Sequence, residues 1–145
     1  MELLDLPALL LGAARSLVDG IDDGVRARGF TDLRPAHGFA FARLSSGGAT
    51  VVQLADHLDV TKQAASQMVE DLVSKGYVER RPHPDDARAR LIVLTEKGWA
   101  CTRAADEAAE EVLRPWADEI GPERVAALRA DLARLATPGR LRPIW

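Results

Sequence analysis

Soft ligands are scarce in this chain of 145 residues: one cysteine, Cys101, and three histidines, His37, His57 and His83. A single thiol excludes a disulfide framework. No two of the four stand three or four apart, the spacing at which helix neighbours share a metal ion, so neither a metal site nor a cofactor is expected. Cys101 follows Trp99 and Ala100 in an alanine-rich stretch, which reads as a buried, inert thiol rather than a peroxide sensor. Asp56 and His57 have no serine or cysteine nucleophile in evident register, and no glycine-rich phosphate loop is present. No catalytic residue and no enzyme activity are therefore expected. Long hydrophobic runs are missing too. Leu6 to Ala14 is apolar, but Arg15 ends it after nine residues, too short for a bilayer. Glu2 and Asp5 stand where a secretory signal carries basic residues, so the expectation is a cytoplasmic protein without a membrane partner.

An excess of positive charge is also absent. The net charge is −3, and it is uneven: −3 over residues 1–32, +1 over 33–98, −3 over 99–135 and +2 over 136–145. Within the central block, Lys75 to Arg90 holds five basic and three acidic residues. A polyanionic partner would be met by placed arginines rather than by a broad basic field.

The most informative stretch runs from Thr50 to Gly98. Thr50 with Gln53 three residues on forms a capping box, and Val51, Leu54, Ala55 and Leu58 recur on one face of the helix it starts. Asp59 and Val60 make a turn. Thr61 is an N-cap for a second helix, Lys62 to Lys75, which Gly76 stops. Ala65, Met68, Val69 and Leu72 form its inward stripe, while Gln63, Ser66, Gln67, Glu70 and Ser74 face outward. Short amides and hydroxyls near a helix start suit phosphates and base edges in a major groove. A merely solvated face would show the same polarity, so the neighbouring elements decide.

Those neighbours read as strands, Tyr77 to Arg81 and Ala89 to Leu94, bracketing Pro82 to Arg88. Two prolines and two aspartates there make a hairpin tip that cannot extend the ladder. Arg88 sits on the tip, Arg90 beside it, and Arg80 and Arg81 on the opposite strand. A protruding arginine suits a narrow A·T minor groove, and Asp86 stands where a bidentate pair could hold its guanidinium. The expected DNA-binding residues are Thr61, Lys62, Gln63, Ser66, Gln67, Arg81, Asp86, Arg88 and Arg90.

This stretch resembles the MarR family of bacterial transcription regulators. The resemblance is carried by Asp86-Ala87-Arg88 running to Leu94-Thr95 and Glu96-Lys97-Gly98, by the helix pair Val52 to Leu72, and by the step Lys75-Gly76-Tyr77-Val78. It covers about fifty consecutive residues.

The outer segments read as helices. One runs from about Pro7 to Arg28, with Gly12, Gly20 and Gly24 lowering its regularity. A second spans Pro35 to Leu44. A third runs from Thr95 to about Asp118, with Pro115 near its end. Gly121-Pro122 breaks the chain, and Val125, Leu128, Leu132 and Leu135 make the seam of a last helix. The fold expected is mainly α with a small β-hairpin wing (α+β), a single domain over 1–145. It comprises a winged helix-turn-helix lobe over 33–98 and a helical dimerisation region over 1–32 and 99–145. One small helix-turn-helix reads few base pairs, so a two-fold homodimer on a pseudo-palindromic double-stranded DNA operator is expected. The resemblance implies the same, with first, fifth and sixth helices interlocked, and the tail Leu141 to Trp145 is assigned to that interface.

The resemblance further implies a repressor, released when a small aromatic or phenolic ligand enters between the dimerisation helices and the DNA-binding lobe. Phe30, His37, Phe41 and Trp99 are the candidate ligand-binding residues, with ordinary core as the equal alternative. The acidic outer helices keep a rival reading open, a winged-helix module that docks proteins and has no operator of its own. An enzyme's helical dimerisation domain would need a catalytic half that this sequence lacks.

Overall fold

The computed structural model describes residues 3–137, 139 and 141. In chain order the elements are α1 (Leu6–Ala27), α2 (Pro35–Ser45), α3 (Val51–Leu58), α4 (Lys62–Ser74), β1 (Val78–Pro82), β2 (Arg90–Leu94), α5 (Glu96–Ile120) and α6 (Pro122–Leu135). They fall into two compact units. A winged unit holds residues 32–103 together with residues 137, 139 and 141, and a helical unit holds 3–31 and 104–136. The division lies within α5, five residues beyond the boundary expected from sequence. The described tail residues group with the winged unit rather than with the outer helices. Gly139 shows why: a Cβ there would stand 2.9 Å from the Asp56 carbonyl oxygen on α3. The expected role of Trp145 lies outside the described residues.

The winged unit has an apolar core made by the faces that the sequence periodicity marks. Leu54 and Leu58 of α3, Val69 and Leu72 of α4, Tyr77, Val78 and Ile92 are all buried. β1 and β2 pair antiparallel in the register Val78 with Leu94 through Pro82 with Arg90. Ala49 adds an isolated bridge to Ile92, closed by two backbone bonds of 3.0 and 2.8 Å. Pro82, expected in the tip, instead ends β1, where its missing N–H costs least. Tyr77, expected in the strand, precedes it and donates its amide to Leu72 at 3.0 Å.

In the helical unit α1 is continuous over 22 residues despite its glycines. α5 continues through Pro115 for 25 residues, and Gly121, at φ 91°, turns the chain into α6 with Pro122 in its first turn. Arg28 bridges from the end of α1 to Glu107 at 3.2 Å and Glu111 at 2.7 Å on α5. α6 buries none of its residues, and its seam stays open, with Leu135 79% exposed. Among the described residues no helix is long and apolar enough to cross a membrane.

Candidate nucleic-acid interface

Two helices and the ribbon position the candidate residues. Thr50 Oγ1 accepts the Gln53 amide at 3.2 Å and Gln53 Oε1 accepts the Thr50 amide at 2.9 Å, so the capping box is fully made. α3 ends on Asp59, at φ 54° the one described non-glycine residue in the left-handed region. Aspartate tolerates this conformation better than most residues, and it lets the chain turn into α4 within two residues. Thr61 then caps α4, its Oγ1 accepting the Ala64 amide at 3.1 Å. Lys62, Gln63 and Gln67 are exposed and Ser66 is half-buried, all on the first two turns. Two amides and a lysine thus stand free where the partial positive end of the helix also points. Ala64, which sequence reasoning passed over, is exposed between Gln63 and Gln67. Its methyl group could meet a thymine methyl, a contact that polarity patterns do not flag.

The ribbon separates the arginines that the sequence groups together. Side chains alternate across a strand, so the observed register puts Arg80 and Arg90 on one face and Arg81 with Glu79 on the other. Arg81 is occupied there: its Nε donates to Glu79 Oε1 at 2.8 Å. Arg80 is exposed and shares the face of Arg90, so the period-two alternation would have pointed to it. Arg88 is exposed at the tip. The contact Asp86 makes with it is not the expected guanidinium pair. Asp86 Oδ1 accepts the backbone amide of Arg88 at 2.9 Å, and the Ala89 amide donates to the Asp86 carbonyl at 3.1 Å. Asp86 therefore shapes the turn that carries Arg88.

Behind the wing, Gly98 explains the last residue of the motif. A Cβ there would overlap the Tyr77 carbonyl oxygen, so only glycine lets the first turn of α5 close on the end of α4. Thr95 seals the same junction, its Oγ1 donating to the Gly76 carbonyl and accepting the Gly98 amide at 3.2 Å.

The four residues assigned to a ligand have unlike surroundings. Phe30, half-buried, belongs to the helical unit, and the other three belong to the winged unit. Phe41 is buried with its ring centroid 5.6 Å from that of Tyr77. Trp99 is 41% exposed. His37 is 1% exposed; its Nδ1 accepts the Arg34 amide at 2.9 Å and its Nε2 has no hydrogen-bond partner, with Asp71 Oδ2 at 3.7 Å. Burial, with Arg34 and Lys75 adding repulsion, lowers its pKa to about 4, so the ring is neutral near pH 7. Burial likewise raises the Cys101 thiol to about 11, which leaves it unreactive. Among the described residues, no three histidine, cysteine or carboxylate side chains gather as metal ligands would.

Residues 29–89 match the sequence profile of the MarR family. Rv2011c, an uncharacterized protein of Mycobacterium tuberculosis, is 37% identical over 92 residues, covering 63% of this chain and 64% of its own length. The HTH-type transcriptional regulator PetP of Rhodobacter capsulatus is 36% identical over 95 residues, 66% of this chain and 57% of PetP. The chain thus spans somewhat under two thirds of the curated relatives it matches. A MarR mutant from Escherichia coli complexed with operator DNA shares the fold, with a TM-score of 0.72 at 24% identity over 94% of this chain and 96% of that one.

Proposed function

We propose that the protein is a homodimeric, sequence-specific DNA-binding regulator, acting in the cytoplasm as a repressor. The observation that carries this reading is the pairing of two exposed amides, Gln63 and Gln67, on the first two turns of α4 with an exposed Arg88 on a wing whose turn is set by Asp86. One element suits a major groove and the other the adjacent minor groove, and neither is needed by the core. The similarity to an operator-bound MarR mutant supports the same arrangement. The homodimer is supported by apolar faces left open on α1 and α6, where Leu9 and Leu11 are 61% and 72% exposed and Leu135 79%. Leucines at such density on a water-facing helix favour a second copy as cover. A ligand response would be read at Trp99, since His37 and Phe41 are closed into the core. Quenching of Trp99 emission by a phenolic compound, lost in Trp99→Phe, would register it.

Gel-shift titration against the DNA flanking the chain's own gene, repeated across salt concentrations, tests the whole reading. A shifted band that survives excess scrambled competitor supports it. Binding that never exceeds the competitor favours the second reading, a winged helix that docks proteins, for which the acidic outer helices and the Glu79–Arg81 pair speak.

A further inference from the structure

We propose that Tyr77 and Asp32 are a positioning pair that holds the C-terminal end of the recognition helix α4, an inference that rests on the DNA-binding reading above. After α4 ends at Ser74, three residues in a row are tied to segments far away in sequence. Tyr77 Oη donates to Asp32 Oδ1 at 2.6 Å. Lys75 Nζ donates to the Asp32 carbonyl at 2.7 Å and to Asp71 Oδ2 at 2.9 Å. From the other direction, the Thr95 amide donates to the Tyr77 carbonyl at 3.0 Å, Thr95 Oγ1 donates to the Gly76 carbonyl, and Lys97 Nζ donates to the Lys75 carbonyl at 2.7 Å. The chain leading into α2 and the chain starting α5 are therefore both fastened to residues 75–77.

The Tyr77 ring is itself held. Phe41 packs on it, and Lys97 Nζ lies 4.3 Å from its centroid. With the ring fixed, the direction of its hydroxyl is fixed as well. The bond it makes contributes more to placement than to stability. Tyr77 is 1% exposed and its ring supplies the burial, whereas Asp32 is exposed and water can replace the hydroxyl at its carboxylate. Placement matters because a helix moves as a rod. α4 is about 20 Å long, so a shift of about 1 Å at its far end tilts it by roughly 3° and moves Gln63 and Gln67 against the bases they would read. Hydrogen bonds to base edges are directional and register such movement, while point-charge contacts to phosphate scarcely do.

The test uses the full-length chain and its Tyr77→Phe, Asp32→Ala and doubly substituted variants, each confirmed as folded by circular dichroism. The probes are the duplex that wild type enriches from a randomised pool and a scrambled duplex of equal length. Each single variant should bind the enriched duplex roughly three- to tenfold more weakly. Affinity for the scrambled duplex and the salt slope should stay unchanged, since no phosphate contact is lost. The double variant should lose no more than a single one, because the two residues act as a unit. Equal losses on both duplexes, no loss on either, or losses that simply add would each overturn the pair while leaving the functional reading intact. A wild-type chain that enriches no sequence overturns the functional reading and this inference with it.

Discussion

Gly24 of α1 faces Ala108 of α5 so closely that a Cβ on the glycine would stand 2.5 Å from the Cβ of the alanine. One turn earlier Gly20 meets Val112, where an added Cβ would lie 2.8 Å from the Val112 Cγ2. Two of the glycines that weaken the helical pattern of α1, Gly20 and Gly24, are thus the surface through which it approaches α5.

Gly24→Ala should therefore destabilise the protein even though alanine favours helix by about 1 kcal/mol. Overlap with a packed neighbour costs roughly 1–3 kcal/mol, and the balance is a net loss. Gly38→Ala is the control. Gly38 lies inside α2 with nothing within 4 Å of an added Cβ, so that change should stabilise by roughly 0.5–1 kcal/mol. Urea midpoints of the two variants should move in opposite directions; midpoints moving together would contradict the packing account.

Arg88→Ala should weaken DNA binding by about 1–3 kcal/mol while leaving the circular dichroism spectrum unchanged. Asp86 separates two explanations of how that arginine is aimed. Because Asp86 Oδ1 accepts a backbone amide, Asp86→Asn should keep the turn and most of the affinity, and Asp86→Ala should lose both. A charge-holding role would instead make the asparagine variant as weak as the alanine one. Gel-shift midpoints for the three variants distinguish these outcomes.

Gln63→Ala and Ser66→Ala should change which sequence is preferred, whereas Lys62→Ala should weaken all sequences alike. An amide can form paired bonds to adenine, but a flexible ammonium acts on phosphate as a point charge. Loss of Lys62 should therefore flatten the slope of log affinity against log salt by about one unit. Selection from randomised DNA with each variant is the measurement, and three identical motifs would show that α4 does not read bases.

His37 should make stability depend on pH. Its pKa is about 4 in the folded chain against an ordinary 6.5, so between those values the unfolded state binds the extra proton. The stabilisation is complete above about pH 6.5, is lost as pH falls toward 4, and amounts to roughly 3 kcal/mol. His37→Gln should remove this slope while still accepting the Arg34 amide, as glutamine does at the third position of a helix. Urea unfolding of both chains at pH 7 and pH 5 checks it; parallel losses in the two would assign the slope to other groups.

What the sequence alone determined about this protein is local. The Thr50–Gln53 box, the Thr61 cap, the Gly76 stop and the apolar faces of α3 and α4 each depend on residues within four positions of one another. Short-range hydrogen bonding and helical periodicity therefore decide them before any folding partner is known. Tertiary structure decided everything that joins distant segments. It turned Gly20 and Gly24 from irregularities into a packing surface, and it made Gly98 necessary because the Tyr77 carbonyl occupies the space of a side chain. Strand register placed Arg80 on the same face as Arg90 of the partner strand, since a shift of one residue moves every side chain to the other face. Tyr77 found Asp32 across 45 residues of chain. Such contacts follow from where the backbone goes in space, and no spacing along the chain encodes them.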